Sequence, residues 1–117
     1  LQGIFEGLTL NTNMLTCAVG LGIIADFATG IAKGYMSDKK IVSSKLRDGG
    51  FKKMGIILVV LLSYGLSMLF NDANRLIFNG VQAYYVYTEL VSIIENLISM
   101  NVNLPPILKK IIGKEVE

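Results

Sequence analysis

Residues 54–70 read MGIILVVLLSYGLSMLF, an apolar run with no charged side chain, entered through Lys52 and Lys53. At about 1.5 Å of rise per helical residue this run covers roughly 25 Å, and the stems of Lys52 and Lys53 can reach headgroups, which brings it close to a hydrocarbon core of about 30 Å. A second run, residues 14–35, reads MLTCAVGLGIIADFATGIAKGY and is longer, with Asp26 near its middle. A carboxylate at the bilayer centre costs about 2.5–3.5 kcal/mol on insertion scales, which the surrounding Leu15, Val19, Leu21, Ile23, Ile24, Phe27 and Ile31 can offset. Both runs are expected to span, in an all-α integral membrane protein. The alternative, a soluble helical domain with very apolar core helices, fits poorly with a hydrophobic share of 52% and a mean hydropathy of +0.55.

Charge sets the orientation. Of the eleven Lys and Arg, seven lie between Lys33 and Lys53: Lys33, Lys39, Lys40, Lys45, Arg47, Lys52 and Lys53. Such a stretch is retained in the cytoplasm, where it meets anionic lipid headgroups. The segment ahead of Lys33 has no basic residue, and the turn 71–77 offers only Arg75 beside Asp72. Both are expected outside.

The third segment, residues 78–100, is amphipathic. Gln82, Tyr85, Glu89, Ser92, Asn96 and Ser99 follow at steps of three and four and stack on one face, with Glu95 beside them; Val86, Leu90, Ile93, Leu97 and Met100 form another. Three placements compete: spanning with the polar face toward a lumen or other helices, lying in the headgroup plane, or packing on a soluble partner. An interfacial helix usually carries bases on its polar side, and this one has two acids. Spanning is therefore favoured, giving three transmembrane helices with the N-terminus out and the C-terminus in. Tyr84, Tyr85 and Tyr87 then sit in the outer half. Pro105 and Pro106 stop the helix, and Lys109, Lys110 and Lys114 mark a tail on the cytoplasmic side.

The expected organisation is one membrane domain over residues 1–117: a helix over about 14–35, a basic loop over 36–53, a helix over 54–70, an outer turn over 71–77, the amphipathic helix over 78–100 and a tail over 101–117. The chain opens at Leu1, and its start has neither the positive region nor the small-residue cleavage site of a secretory signal. Lone Cys17, within the first run, reads as a small apolar residue. With no His, no metal-ligand spacing and no Gly-rich phosphate loop, the sequence suggests no catalytic residue, metal or cofactor. A net charge of +2, without aromatic residues interleaved among the bases, gives no ground for a nucleic-acid partner.

Helices in lipid associate through small residues and hydrogen bonds. Ala18, Gly22, Asp26, Gly30 and Gly34 fall at successive steps of four, a small-residue strip with a carboxyl group at its centre. It suits packing against the chain's own helices or against another subunit. Thr29, a polar residue of the third segment and Lys33 are candidate partners for Asp26.

Asp26-Phe27-Ala28-Thr29-Gly30, then Lys33, Ser43-Ser44-Lys45, Gly49-Gly50 and Lys52-Lys53, resemble the first helix and basic loop of the toxin secretion/phage lysis holin family. Glu89-Leu90-Val91-Ser92-Ile93-Ile94-Glu95-Asn96, followed by Asn103-Leu104-Pro105-Pro106 and Leu108-Lys109, is similar to that family's later segment. The likeness covers about Leu21 to Lys110. It departs at Pro106, where a Pro-Lys pair is usual, and at Arg47-Asp48, where the loop is normally plainly basic. The resemblance implies a small phage or prophage protein of the bacterial cytoplasmic membrane. Such a protein forms homo-oligomers and opens a lesion that releases an endolysin or, in some clostridial loci, a toxin. A non-lytic scaffold or anchor and a small ion channel are the rival classes. On the lytic reading subunits meet through the strip, and the face with Glu89, Ser92, Asn96 and Glu95 turns to water once copies gather, because a lone copy shelters it poorly.

Overall fold

The computed structural model describes residues 12–36, 43–72 and 75–111, and among them every regular element is helical. Helix α1 runs Thr12–Met36, α2 Ser43–Leu69, α3 Leu76–Ser99 and the short α4 Pro106–Ile111. Helix α2 starts earlier than its apolar run. Residues 43–53, read from their charges as loop, form its first turns. Charge reports where water is available and does not oppose helix formation: Lys, Leu and Arg are good helix formers, and this stretch has no proline. Gly49 and Gly50 each cost the helix about 1 kcal/mol relative to alanine. The space over Gly49 admits the Phe27 ring, whose edge lies 3.7 Å from where a Cβ would stand.

The α2–α3 connection is closed by its own side chains. Asn71 takes a left-handed conformation at φ 56°, which asparagine tolerates better than most residues. The backbone N–H of Asp72 donates to the Ser67 carbonyl at 2.8 Å. The Asp72 carboxylate accepts from the Ile77 N–H at 2.8 Å, and the Ser67 hydroxyl accepts from the Phe78 N–H at 3.0 Å. Two of the four N–H groups left open at the start of α3 are thereby satisfied. At the far end Asn101, φ 62°, terminates α3, and Pro106 stands at the first position of α4, where its missing N–H costs nothing.

Helix α3 lies between the other two. Against α1 it runs parallel: Thr12 meets Asn79, Thr16 meets Gln82, Gly22 meets Glu89 and Thr29 meets Asn96. The offset stays at 66 or 67 residues throughout. The two axes thus keep company over roughly 25 Å. Against α2 it runs antiparallel, with the Tyr64 and Phe78 rings edge to face at 5.1 Å near one end and Lys53 against Glu89 nearer the other.

Burial is inverted relative to a water-soluble fold. In α2 the buried residues are Ser63 and Ser67, while Leu62, Met68 and Leu69 are 67%, 68% and 78% exposed. In α1 Val19 is buried, and Leu21 and Ile24 point outward. The most deeply enclosed side chains include Gln82 and Glu89. Helices Thr12–Met36 and, within α2, Leu46–Leu69 are long and apolar enough to cross a membrane. A soluble protein's core helix would bury its apolar side chains; these two display them.

Candidate functional site

The polar groups converge in a seam between α1 and α3, closed from the side by α2. Near the starts of α1 and α3, the Thr12 hydroxyl donates to Asn79 Oδ1 at 3.1 Å and the Thr16 hydroxyl reaches Gln82 Oε1 at 2.7 Å. Gln82 is completely buried, and its amide nitrogen has no hydrogen-bond partner. An unsatisfied buried donor costs about 1–3 kcal/mol, so this level of the seam is closed but holds less tightly than a fully bonded one.

One helical stretch further, three charged side chains meet. Lys53 Nζ lies 2.5 Å from Asp26 Oδ2 and 2.8 Å and 3.0 Å from the two oxygens of Glu89. One ammonium group from α2 thus bridges a carboxylate from each of the other helices. The Glu89 side chain is only 2% exposed. Asn96 completes the cluster, donating to Asp26 Oδ1 at 3.2 Å and to Thr29 Oγ1 at 3.0 Å. The Thr29 hydroxyl in turn donates to the Ala25 carbonyl at 2.8 Å. Burying three charges is expensive, and the arrangement holds because each oxygen and nitrogen finds an opposite charge or a donor at hydrogen-bonding distance.

The cluster is level. Asp26 lies ten residues before Met36, Lys53 ten after Ser43 and Glu89 ten before Ser99. Each charge therefore sits about 15 Å from the same end of the bundle.

The small-residue strip lies along this seam. A Cβ on Gly22 would stand 3.0 Å from Glu89 Cβ, and one on Gly30 would stand 3.9 Å from Asn96 Nδ2. Ala18 and Gly34 are half-buried on the same helix. Of the alternatives open from sequence, the strip's middle is taken by the chain's own α3. Gln82, Glu89 and Asn96 turn inward, Tyr85 and Ser92 are half-buried, and Glu95 and Ser99 are exposed. A single chain therefore does shelter the strongest polar groups of α3, contrary to the expectation drawn from its amphipathicity. It does so because α1 supplies hydroxyls and α2 a cation at matching heights.

Lys53 is the principal residue that sequence reading misplaced. Assigned there with Lys52 to the headgroups, it points into the bundle; Lys52 is exposed, as are Lys33 and Arg47, the last 3.8 Å from Asp48. Lys39 and Lys40 lie outside the described residues, as does the side chain of Lys45. The signal for Lys53 was its helical phase. It shares a face with Ser63 and Ser67, which becomes visible only when α2 is carried back through the basic stretch. Among the described residues no three His, Cys, Asp or Glu side chains gather as a metal site.

Residues 3–114 match the profile of a family described as the bacteriophage holin family. The chain is 30% identical over 111 residues to the uncharacterized protein Lmo0128 of Listeria monocytogenes, an alignment covering 93% of this chain and 74% of that protein. It is 34% identical over 89 residues to an uncharacterized 14.9 kDa protein in the nagH 3' region of Clostridium perfringens, covering 75% of this chain and 66% of the other. No solved structure matches it.

Proposed function

The chain belongs to the bacteriophage holin family, and from that premise we propose that it gathers as a homo-oligomer in the bacterial cytoplasmic membrane and opens a lesion through which an endolysin, or a toxin, leaves the cell. The observation that carries this reading is the inverted burial: charged and amide groups inside, Leu62, Met68 and Leu69 outside. Lipid tails are the solvent that favours such a surface.

Three crossings follow on this reading. A helix held parallel to α1 over some 25 Å, with its buried acid at the same height as Asp26, shares whatever depth α1 occupies. An interfacial helix would lie across α1 instead. The N-terminus is then outside, and the basic stretch around Arg47 and the tail bases Lys109 and Lys110 both lie on the cytoplasmic side. The strip Ala18, Gly22, Asp26, Gly30 and Gly34 packs the subunit internally. Contacts between subunits fall to the exposed apolar faces of α1 and α2.

The test is to induce the chain with a cytoplasmic endolysin and follow turbidity. A delayed, abrupt fall in turbidity that needs both proteins supports the lytic role. Intact cells at full membrane expression would transfer the assignment to a scaffold or anchor, and selective small-ion conductance without protein release to a channel.

A further inference from the structure

We infer that the Asp26–Lys53–Glu89 cluster is a latch, which holds the α1–α3 seam shut in the single chain and must part before a water-filled lesion can form. The inference rests on the lytic reading and adds the step that controls it. A wall facing water needs strongly hydrated groups at mid-depth. In this fold those groups are Asp26, Lys53, Glu89 and Asn96, and all four are engaged with one another. The outward surfaces of α1 and α2 at that depth are apolar, Ile24 and Leu58 among them. Assembly of closed subunits would therefore juxtapose apolar faces and leave the bilayer sealed. Opening the seam exchanges the cluster's internal bonds for water, which hydrates all three charges and makes good the exchange. The seam also contains a feature that favours parting: the Gln82 amide nitrogen lacks a partner. The cluster sits in one layer joining α1, α2 and α3, so its loss weakens the hold of both neighbours on α3 together, leaving the Thr12–Asn79, Thr16–Gln82 and Tyr64–Phe78 contacts to part in turn.

The decisive experiment ties the seam shut covalently. Thr16→Cys and Gln82→Cys, whose side chains touch in the closed chain, are introduced with Cys17→Ser; Cys17 is exposed and lies outside the seam. Cells carrying the endolysin are oxidised with a copper–phenanthroline pulse, and disulfide formation is scored by gel mobility after thiol blocking. The expected result is cross-linked protein in the membrane with turbidity held constant, followed by abrupt lysis when dithiothreitol is added. Lysis of the cross-linked cells on the normal schedule would overturn the latch and assign the lumen to the outward side of α3, around Tyr84 and Thr88. Failure of the pair to cross-link either by oxidation or by a short bis-methanethiosulfonate, which spans the gap left where cysteine replaces the longer Gln82 side chain, would overturn it too, because the closed seam would not then be populated. A Cys17→Ser control that never lyses would refute the lytic reading itself, a separate result. In a second arm, Lys53→Met is expected to advance the onset of lysis at least twofold at equal membrane abundance. An unchanged or later onset would contradict the latch.

Discussion

Glu89 occupies the space that a side chain on Gly22 would need: a Cβ built there stands 3.0 Å from the Glu89 Cβ. The close approach of α1 and α3 at this point lets Glu89 and Asp26 share one lysine. Gly22→Leu is expected to wedge the helices apart at a cost of about 1–3 kcal/mol, the range for overpacking. Gly20, with nothing near its own Cβ position, provides the contrast: Gly20→Ala should be neutral or stabilising by up to about 1 kcal/mol through helix propensity. Thermal unfolding in detergent micelles reads both. Equal loss at the two sites would show that α1 does not meet α3 through Gly22.

Removing the cation from the cluster should hurt more than removing any one of its hydrogen bonds. Lys53→Met leaves two carboxylates buried side by side, and breaking a buried ion pair from one side costs about 3–5 kcal/mol. Asn96→Leu removes the bonds to Asp26 and Thr29 and is expected to cost about 1 kcal/mol, since hydrogen bonds between membrane helices average about 0.6 kcal/mol and reach about 1.7. Denaturation in mixed micelles gives the order. Asn96→Leu as the more damaging change would displace Lys53 from the centre of the seam.

Thr16 and Gln82 form a pair suited to a double-mutant cycle. Thr16→Val takes away the partner of Gln82 Oε1 while the amide nitrogen is already unpaired. This leaves a wholly unsatisfied amide and an expected loss of about 1–3 kcal/mol. Gln82→Leu with Thr16→Val should recover most of that loss, because both polar partners leave together. Additive losses would show that the two residues do not touch.

Asp72 gives the pH dependence. Its carboxyl is held below the ordinary value of 3.8, chiefly by the Ile77 backbone N–H, with further help from the Leu76 N–H and the Ser67 hydroxyl, against a smaller opposing effect of burial. Because the folded chain favours the ionised form, the stabilisation it brings is fully present above about pH 3.8 and is lost as pH falls through the lower folded value. Helicity of the first turn of α3 should fray in that acid range. Asp72→Ala should remove the acid-side loss by removing its source. A carboxyl resonance titrating at or above the ordinary value would rule this capping role out.

The helices and the seam differ in how legible they were. The apolar run announced α1, and the four-residue spacing put Gly22, Asp26 and Gly30 on the one face of it that meets α3, because both depend on local periodicity. A polar partner for Asp26 from the third segment was also foreseeable, since an acid in lipid requires one, and Asn96 fills that role. Lys33, the charged candidate, is exposed. Lys53 escaped notice because a lysine pair ahead of an apolar run ordinarily sits at the water boundary. Its true position depends on where α2 begins and which way that helix is rotated, and both are settled by contacts with α1 and α3 remote in sequence. The closure of the polar face of α3 within one chain was hidden for the same reason: the constant offset of 66 to 67 residues between α1 and α3 leaves no local trace.

The common height of Asp26, Lys53 and Glu89 also bears on bilayer thickness. With one ionic rivet through all three helices, none can slide like a piston past the others to match a thinner or thicker membrane without breaking it. With the three crossings proposed above, the chain must answer such mismatch by leaning as a rigid body or by deforming the lipid around it. Chain length of the surrounding phospholipids thereby becomes a mechanical load on the rivet.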